Sequence, residues 1–152
     1  MKSILTGLII AIILFNADVF AQCRQQDVYN CAKNNGNAIY LRDFNVKLKK
    51  QKPHETKPQE ARFSVVLNKG TKYRFNLCNC ESEEGGKPVL KLYDGKKEVG
   101  STHYVDAQKV EKDFPMFDFV CTKSAIYYIS IYMNDGEKGS VVGVLSFVGK
   151  QD

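Results

Sequence analysis

The sequence predicts an all-β protein, an antiparallel β-sandwich of jelly-roll type with about eight strands and one short N-terminal helix. Three observations lead there. Apolar and polar residues alternate with a period of two through much of the chain after residue 38, the pattern of half-buried strands. Turn sequences such as Asn68-Lys69-Gly70, Asp94-Gly95 and Asn134-Asp135-Gly136 cut that pattern at intervals. A helical period appears only near the N-terminus.

The chain opens on Lys2, a minimal positive region, followed by an almost uninterrupted apolar run over residues 4–15. Val19-Phe20-Ala21 then places small or aliphatic residues at the minus-three and minus-one positions. Residues 1–21 are therefore expected to be a secretory signal peptide, cut between Ala21 and Gln22. Asn16 and Asp18 end the apolar stretch well short of the roughly 20 residues of a spanning helix, so no transmembrane segment is expected after cleavage. Cys23 lies just past the cut, as in a lipoprotein, but Gln22 stands where a lipobox needs Gly, Ala or Ser. The protein is expected to be exported, to the periplasm or beyond it. Residues 22–152 have the size of a single domain with its own core.

Within that domain, Val28, Cys31 and Ala32 share a face before Asn35-Gly36-Asn37, which predicts a short helix in the segment 22–37. Phe44, Val46 and Leu48 alternate with Asn45, Lys47 and Lys49 in a strand that begins near Ile39, and its lysines mark a sheet edge. Residues 50–60 hold Pro53, Pro58 and several charges without periodicity, the longest expected loop. Phe63, Val65 and Leu67 form one strand and Tyr73, Phe75 and Leu77 the next. The Asn68-Lys69-Gly70 turn between them predicts a hairpin. Residues 89–93 and 98–103, joined by Asp94-Gly95, predict another. Residues 105–113 are polar and read as loop. Phe117 and Phe119 flank Asp118 ahead of Cys121. Residues 126–133 are dense in β-branched and aromatic side chains, as in a central strand covered on both sides, and residues 141–148 close the domain.

The chain has 5 cysteines, and an exported protein with that count is expected to hold disulfides with one thiol left over. Cys78 and Cys80 share one face of a strand with Cα atoms about 7 Å apart, too far for a comfortable bond. Cys23 and Cys31 lie about 12 Å apart along a helix. The simplest arrangement sets Cys23 and Cys31 against Cys78 and Cys80, stapling the N-terminal segment over the strand, with Cys121 a free, buried thiol. A four-thiolate zinc site from the same four residues is the alternative, although neither pair has the usual spacing.

The catalytic inventory is sparse. The chain has 2 histidines. His54 sits among prolines in a surface loop, and His103 reads as a solvated side chain near a strand end. Glu81, Glu83 and Glu84 form an acidic cluster without the spacing of a calcium loop. Net charge is +5, from 22 Lys and Arg against 17 Asp and Glu, chiefly solubility charge. Lys47, Lys49, Lys50 and Lys52 are a candidate polyanion contact. Tyr40 and Phe44 beside them fall on the core-facing parity, so no stacking platform for nucleic acid is expected. Tyr128 and Tyr132 share a face with Ile126 and Ser130 that would suit a glycan, but their residue type favours packing inside the protein. No catalytic residue, metal site or cofactor is expected.

The stretch 63–67, then Gly70-Thr71-Lys72-Tyr73-Arg74-Phe75, Leu90-Lys91-Leu92-Tyr93-Asp94 and Ile126-Tyr127-Tyr128-Ile129-Ser130-Ile131 resembles the bacterial pre-peptidase C-terminal domain. The similarity covers roughly residues 62–148. Ser124-Ala125 stands where that family usually has Gly, and the cysteines and N-terminal helix are foreign to it. The whole chain also resembles small standalone, signal-bearing proteins of the Bacteroidetes type. The resemblance implies a β-sandwich that binds without catalysing. The expected function is an exported, noncatalytic interaction module of the cell envelope, engaging an envelope protein or polysaccharide and no nucleic acid. An inert structural or stress-related envelope protein is the alternative, and a cysteine-based zinc protein a further one.

Overall fold

Two four-stranded antiparallel sheets face each other in a computed structural model that describes residues 23–80 and 85–151. The predicted signal peptide and the cluster Glu81, Glu83 and Glu84 lie outside the described residues. One helix, α1 (Gln25–Lys33), precedes the strands β1 (Ile39–Leu48), β2 (Glu60–Leu67), β3 (Thr71–Asn79), β4 (Pro88–Asp94) and β5 (Lys97–Ser101). The strands β6 (His103–Val105), β7 (Glu111–Asp113), β8 (Met116–Cys121), β9 (Ala125–Met133) and β10 (Gly139–Lys150) follow. The first sheet has the order β1-β10-β3-β8 and the second β2-β9-β4-β5.

Alternation sends one side of every strand into the space between the sheets. Phe44, Phe75 and Leu145 of the first sheet meet Leu90, Leu92, Ile129 and Ile131 of the second in one core cluster. At one edge the ring of Phe117 stacks on Phe75, with centroids 5.1 Å apart. It also covers Gly100, where a Cβ would collide with the ring. Among the described residues, the sandwich and its one helix match the sequence expectation, as do the edge position of β1 and the β4–β5 hairpin around Gly95, whose φ is 61°.

Three expectations are corrected. The strands on either side of Asn68-Lys69-Gly70 are not a hairpin: β2 pairs with β9, and β3 with β10 and β8. The turn is an arch between the sheets, which lets Leu67 and Phe75 meet across the core. Gly70, at φ 74°, donates its N–H to the Cys121 carbonyl at 2.8 Å. Residues 105–113 are not all loop, and the strands number ten rather than eight among the described residues, because β6 and β7 form a small ribbon. Its polar strands carry no period, so local bonds define it: the Asp106 carboxylate accepts the Gln108 and Val110 N–H groups at 3.0 and 2.9 Å. Finally, β9 is central but not covered on both sides, since Ile126 and Tyr128 are exposed. The doubly covered strand is β10. Its Val141 and Leu145 face the core while Val142 and Val144 lie beneath α1.

The covering helix is held from several directions. At its start Asp27 accepts the Arg24 N–H at 2.8 Å, and Lys33 complements the dipole in its last turn. Its buried face is small, Val28 and Cys31 with Ala32 partly covered. Disulfides join Cys23 to Cys80 and Cys31 to Cys78, with Cα separations of 5.5 and 5.9 Å. Past the helix, Asn35 donates to the Ser146 hydroxyl at 2.6 Å, and its carbonyl accepts from Arg74 at 3.0 Å. The same guanidinium grips Asp118 of β8 through two bonds of 2.7 and 2.9 Å, and Lys72 adds an ion pair at 2.9 Å. The Arg74 hydrogen bond, against some burial and with help from Lys72, holds the Asp118 carboxyl down at about 2.

Each bridge closes a long segment, 57 residues for Cys23–Cys80 and 47 for Cys31–Cys78. Replacing Cys31 and Cys78 together by Ala should cost about 3–4 kcal/mol of unfolding free energy from lost chain constraint. Urea denaturation checks this, and an unchanged midpoint would contradict the staple. Because the folded pKa of Asp118 lies below its ordinary value near 3.8, its stabilisation is complete above that value and fades as pH falls toward 2. Solvent screening discounts the shift at this exposed site, so Asp118→Asn should lower stability by about 1 kcal/mol or less at pH 7, and the two proteins should converge near pH 2.

Candidate functional site

α1 covers part of the outer face of the first sheet, with a cavity of ≈ 500 Å³ beside it bordered by Val28, Tyr29, Ala32 and Tyr40, and no helix lies over the outer face of the second sheet among the described residues. Val65, Leu67, Leu90, Leu92, Tyr127, Ile129, Ile131 and Met133 point into the core, so their neighbours in sequence point outward. Register then decides which of those meet. Tyr128 lies between Ser64 of β2 and Tyr93 of β4, and Ser130 lies between Arg62 and Lys91. Tyr132 stands opposite Glu60. Directly opposed side chains in a sheet are about 5 Å apart, close enough to act as one surface.

Two adjoining cavities, of ≈ 350 Å³ and ≈ 360 Å³, share Arg62, Tyr93 and Ser130. Gly95, Lys96 and Tyr128 bound the first, while Lys57, Pro58 and Tyr132 bound the second. Together they form a shallow groove along β9, about 13 Å from Tyr128 to Tyr132 at the usual strand rise.

The groove's charges are held in place by partners. Ser130 donates its hydroxyl to the Glu60 carboxylate, and Arg62 Nε pairs with the same carboxylate at 3.0 Å. Burial pushes Glu60 upward, but Arg62 and Ser130 outweigh it, and its carboxyl titrates below the ordinary value. Glu60 thereby anchors Arg62 through Nε while the Arg62 side chain stays 74% exposed. Lys91 pairs with Glu98 at 2.9 Å. Burial opposes the Lys91 charge, yet Glu98 and the surrounding tyrosines leave its pKa raised. Burial raises the Tyr132 phenol, with Lys91 pulling the other way.

Tyr128 and Tyr132 were expected to pack inside, and the structure corrects this. Tyr128 is 46% exposed, Tyr132 borders the groove, and Tyr127 takes the core position. Consecutive tyrosines in a strand cannot both face in, and both parities of β9 are apolar enough to suit a core. Tyr127 is satisfied there by donating to the Lys123 carbonyl at 3.0 Å. Burial, with the Cys121 thiol beside it, pushes its phenol up to about 12.

The remaining candidate residues are scattered. Lys49, Lys50 and Lys52 border a recess of ≈ 340 Å³ with Glu55 and Lys57, and Lys47 is exposed on edge strand β1. Lys50 is paired with Glu137 at 2.8 Å. Lys57 borders both this recess and the groove. Phe44 lies in the core, but Tyr40 is exposed because β1 shifts register between Tyr40 and Arg42. Cys121 is a buried free thiol that donates to the Lys123 carbonyl at 3.1 Å. The zinc alternative fails on chemistry, since the four sulfurs it needs as thiolates are joined in disulfides. His54 is an exposed loop residue. His103 is not solvated as expected: its side chain is only 10% exposed and its Nδ1 lies 2.7 Å from Asp113. A feature the sequence pattern did not show is the exposure of Tyr104, Val105, Val110 and Phe114 on and around the β6–β7 ribbon.

No family model matches the sequence, and no curated protein matches it. Among solved structures the chain is similar to PliG of Aeromonas hydrophila, a periplasmic inhibitor of g-type lysozyme, at 10% identity and a TM-score of 0.47, over 74% of this chain and 89% of that one. It is also similar to the pre-peptidase C-terminal domain of a Bacillus anthracis collagenase, at 14% identity and a TM-score of 0.45, over 70% of this chain and 89% of that one.

The opposite placements of the paired tyrosines give a direct check. Tyr127→Ala should destabilise the fold by about 3–5 kcal/mol, whereas Tyr128→Ser should cost no more than about 1 kcal/mol. Equal losses in thermal or urea unfolding would mean that the parity of β9 is misassigned.

Proposed function

We propose that this protein is an exported, noncatalytic module of the cell envelope that holds a polysaccharide on the outer face of its second sheet. The observation that carries the proposal is the inequality of the two outer faces. One is partly covered by α1, which two disulfides fasten there, and keeps a cavity of ≈ 500 Å³ beside the helix, whereas the other carries no helix and presents tyrosines and paired cations along a groove. Aromatic faces carry negative charge density and attract the C–H faces of sugar rings. Arg62 and Lys91 supply hydrogen-bond donors beside Tyr93 and Tyr128, and such mixed linings orient a ligand.

Export is supported by the two bridges, which persist in oxidising compartments, and by the signal pattern of residues 1–21. Binding without catalysis is supported by the state of Glu60. Glycoside hydrolysis commonly employs two carboxyl groups, one of them protonated to act as the acid. Glu60 is the single carboxylate bordering the groove among the described residues. Arg62 and Ser130 keep it ionised, so it is poorly suited to donate a proton.

A second reading rests on the exposed flank of the β6–β7 ribbon. Exposed apolar side chains are common at protein contact sites, and this ribbon, with Tyr104, Val110 and Phe114 exposed on and around it, is the surface an envelope protein would cover.

Affinity electrophoresis through gels containing soluble polysaccharides, with co-sedimentation on insoluble ones, tests the proposal. At least one polymer should retain the protein, and Tyr93→Ala and Tyr128→Ala should each abolish retention while leaving the unfolding midpoint nearly unchanged. Retention that ignores both substitutions, or no retention on any polymer, would contradict it. A protein partner lost on Phe114→Ser would transfer the function to the ribbon.

A further inference from the structure

We infer that the groove takes an acidic polysaccharide, a chain of sugar rings that carry carboxylates, and that this chain continues past Lys57 toward Lys49 and Lys52. The inference rests on the polysaccharide reading above and narrows it to a charge class. Four cations border the two cavities, Lys57, Arg62, Lys91 and Lys96, against the one carboxylate of Glu60. Glu98 stands behind Lys91 as its partner. The balance stays positive after both acids are counted.

The geometry of the cations matters more than their number. Arg62 is tied to Glu60 through Nε, and the rest of its planar fork is exposed beside Tyr93 and Ser130. A guanidinium so anchored recognises a carboxylate with less loss of freedom than a free side chain. Lys91, opposite Ser130 in the register, is half-buried and held by Glu98. Tyr128 and Tyr93 are cross-strand neighbours. They offer ring faces two residues along the strands from these cations, roughly 7 Å away on the same face, so stacking and charge recognition fall on one repeating ligand. A neutral polymer would use the tyrosines and leave the cations idle. A simple polyanion would use the cations and leave the tyrosines idle.

Lys57 extends the path. It borders the groove at the Tyr132 end and also the recess formed with Lys49 and Lys52. A polymer longer than the groove would meet those lysines next, and affinity should rise with chain length until the recess is filled.

Matched polymers separate the charge from the sugar. Binding of the disulfide-bonded protein is measured for polygalacturonate against its methyl ester, and for carboxymethyl cellulose against hydroxyethyl cellulose, at low and at physiological salt. At least one carboxylated polymer should bind tenfold or more tightly than its neutral partner. That binding should weaken about tenfold with Arg62→Gln, weaken with salt, and disappear with Tyr128→Ala. Equal binding of the neutral partners, lost with Tyr128→Ala, would overturn the charge inference and leave the polysaccharide reading standing. Binding that matches inorganic polyphosphate and ignores Tyr128→Ala would overturn the inference as mere polycation attraction. Binding of none of these polymers would also overturn it, and the wider polymer panel would then decide the parent reading separately.

Discussion

The disulfides Cys23–Cys80 and Cys31–Cys78 fasten α1 across the outer face of the first sheet. A helix of 9 residues is too short to persist alone in water, and Val28, Cys31 and Ala32 offer it little apolar area. The covalent ties, supported by Arg74 and Asn35, supply what packing cannot. In return the helix lets β10 carry Val142 and Val144 on its outer side without exposing them. Burying such side chains contributes about 1.5–3 kcal/mol each. The sandwich thereby becomes asymmetric, with one outer face partly covered by a helix and the other bare of one.

On the bare face, the charges are arranged in pairs that keep them in place. Glu60 holds Arg62 and is itself held by Ser130, and Glu98 holds Lys91. Surface ion pairs of this sort add little to stability. Their effect is to limit the conformations of two long cations, which lowers the ordering cost when a ligand arrives. Tyr128 and Tyr93, set in neighbouring strands, provide rigid apolar area between those cations. The groove depends on strand register in the way a loop site does not. A slip of one residue in β9 would send Tyr128 inside and bring Tyr127 out.

The architecture was legible where the chain's own chemistry is local. Period-two alternation located several of the longer strands and β-branched and aromatic density located β9, the lysines of β1 marked an edge, and Asp94-Gly95 marked a hairpin. The geometry of the four cysteines suggested a staple over β3. Legibility ended where a distant partner decides. Asn68-Lys69-Gly70 requires a tight turn whether it joins paired strands or crosses between sheets, and only the pairing of β2 with β9 distinguishes the two. Tyr127 and Tyr128 are equivalent by residue type, and their fates follow from which parity of β9 faces Phe119 and the core. The ribbon β6–β7 has no apolar period because it is built on the Asp106 turn and the His103–Asp113 contact. The candidate groove was thus half visible, as a suspicion attached to Tyr128 and Ser130, while Arg62, Lys91 and Tyr93 became part of it only through register.

The central claim is that the open face of the second sheet is where this protein meets its ligand. Backbone amide shifts, followed by NMR during titration with short acidic oligosaccharides, test it most directly. The account predicts that the changes cluster at Arg62, Ser64, Lys91, Tyr93, Tyr128 and Ser130 and leave α1 and the β6–β7 ribbon undisturbed. Changes confined to α1 or to the ribbon, with β9 silent, would contradict it.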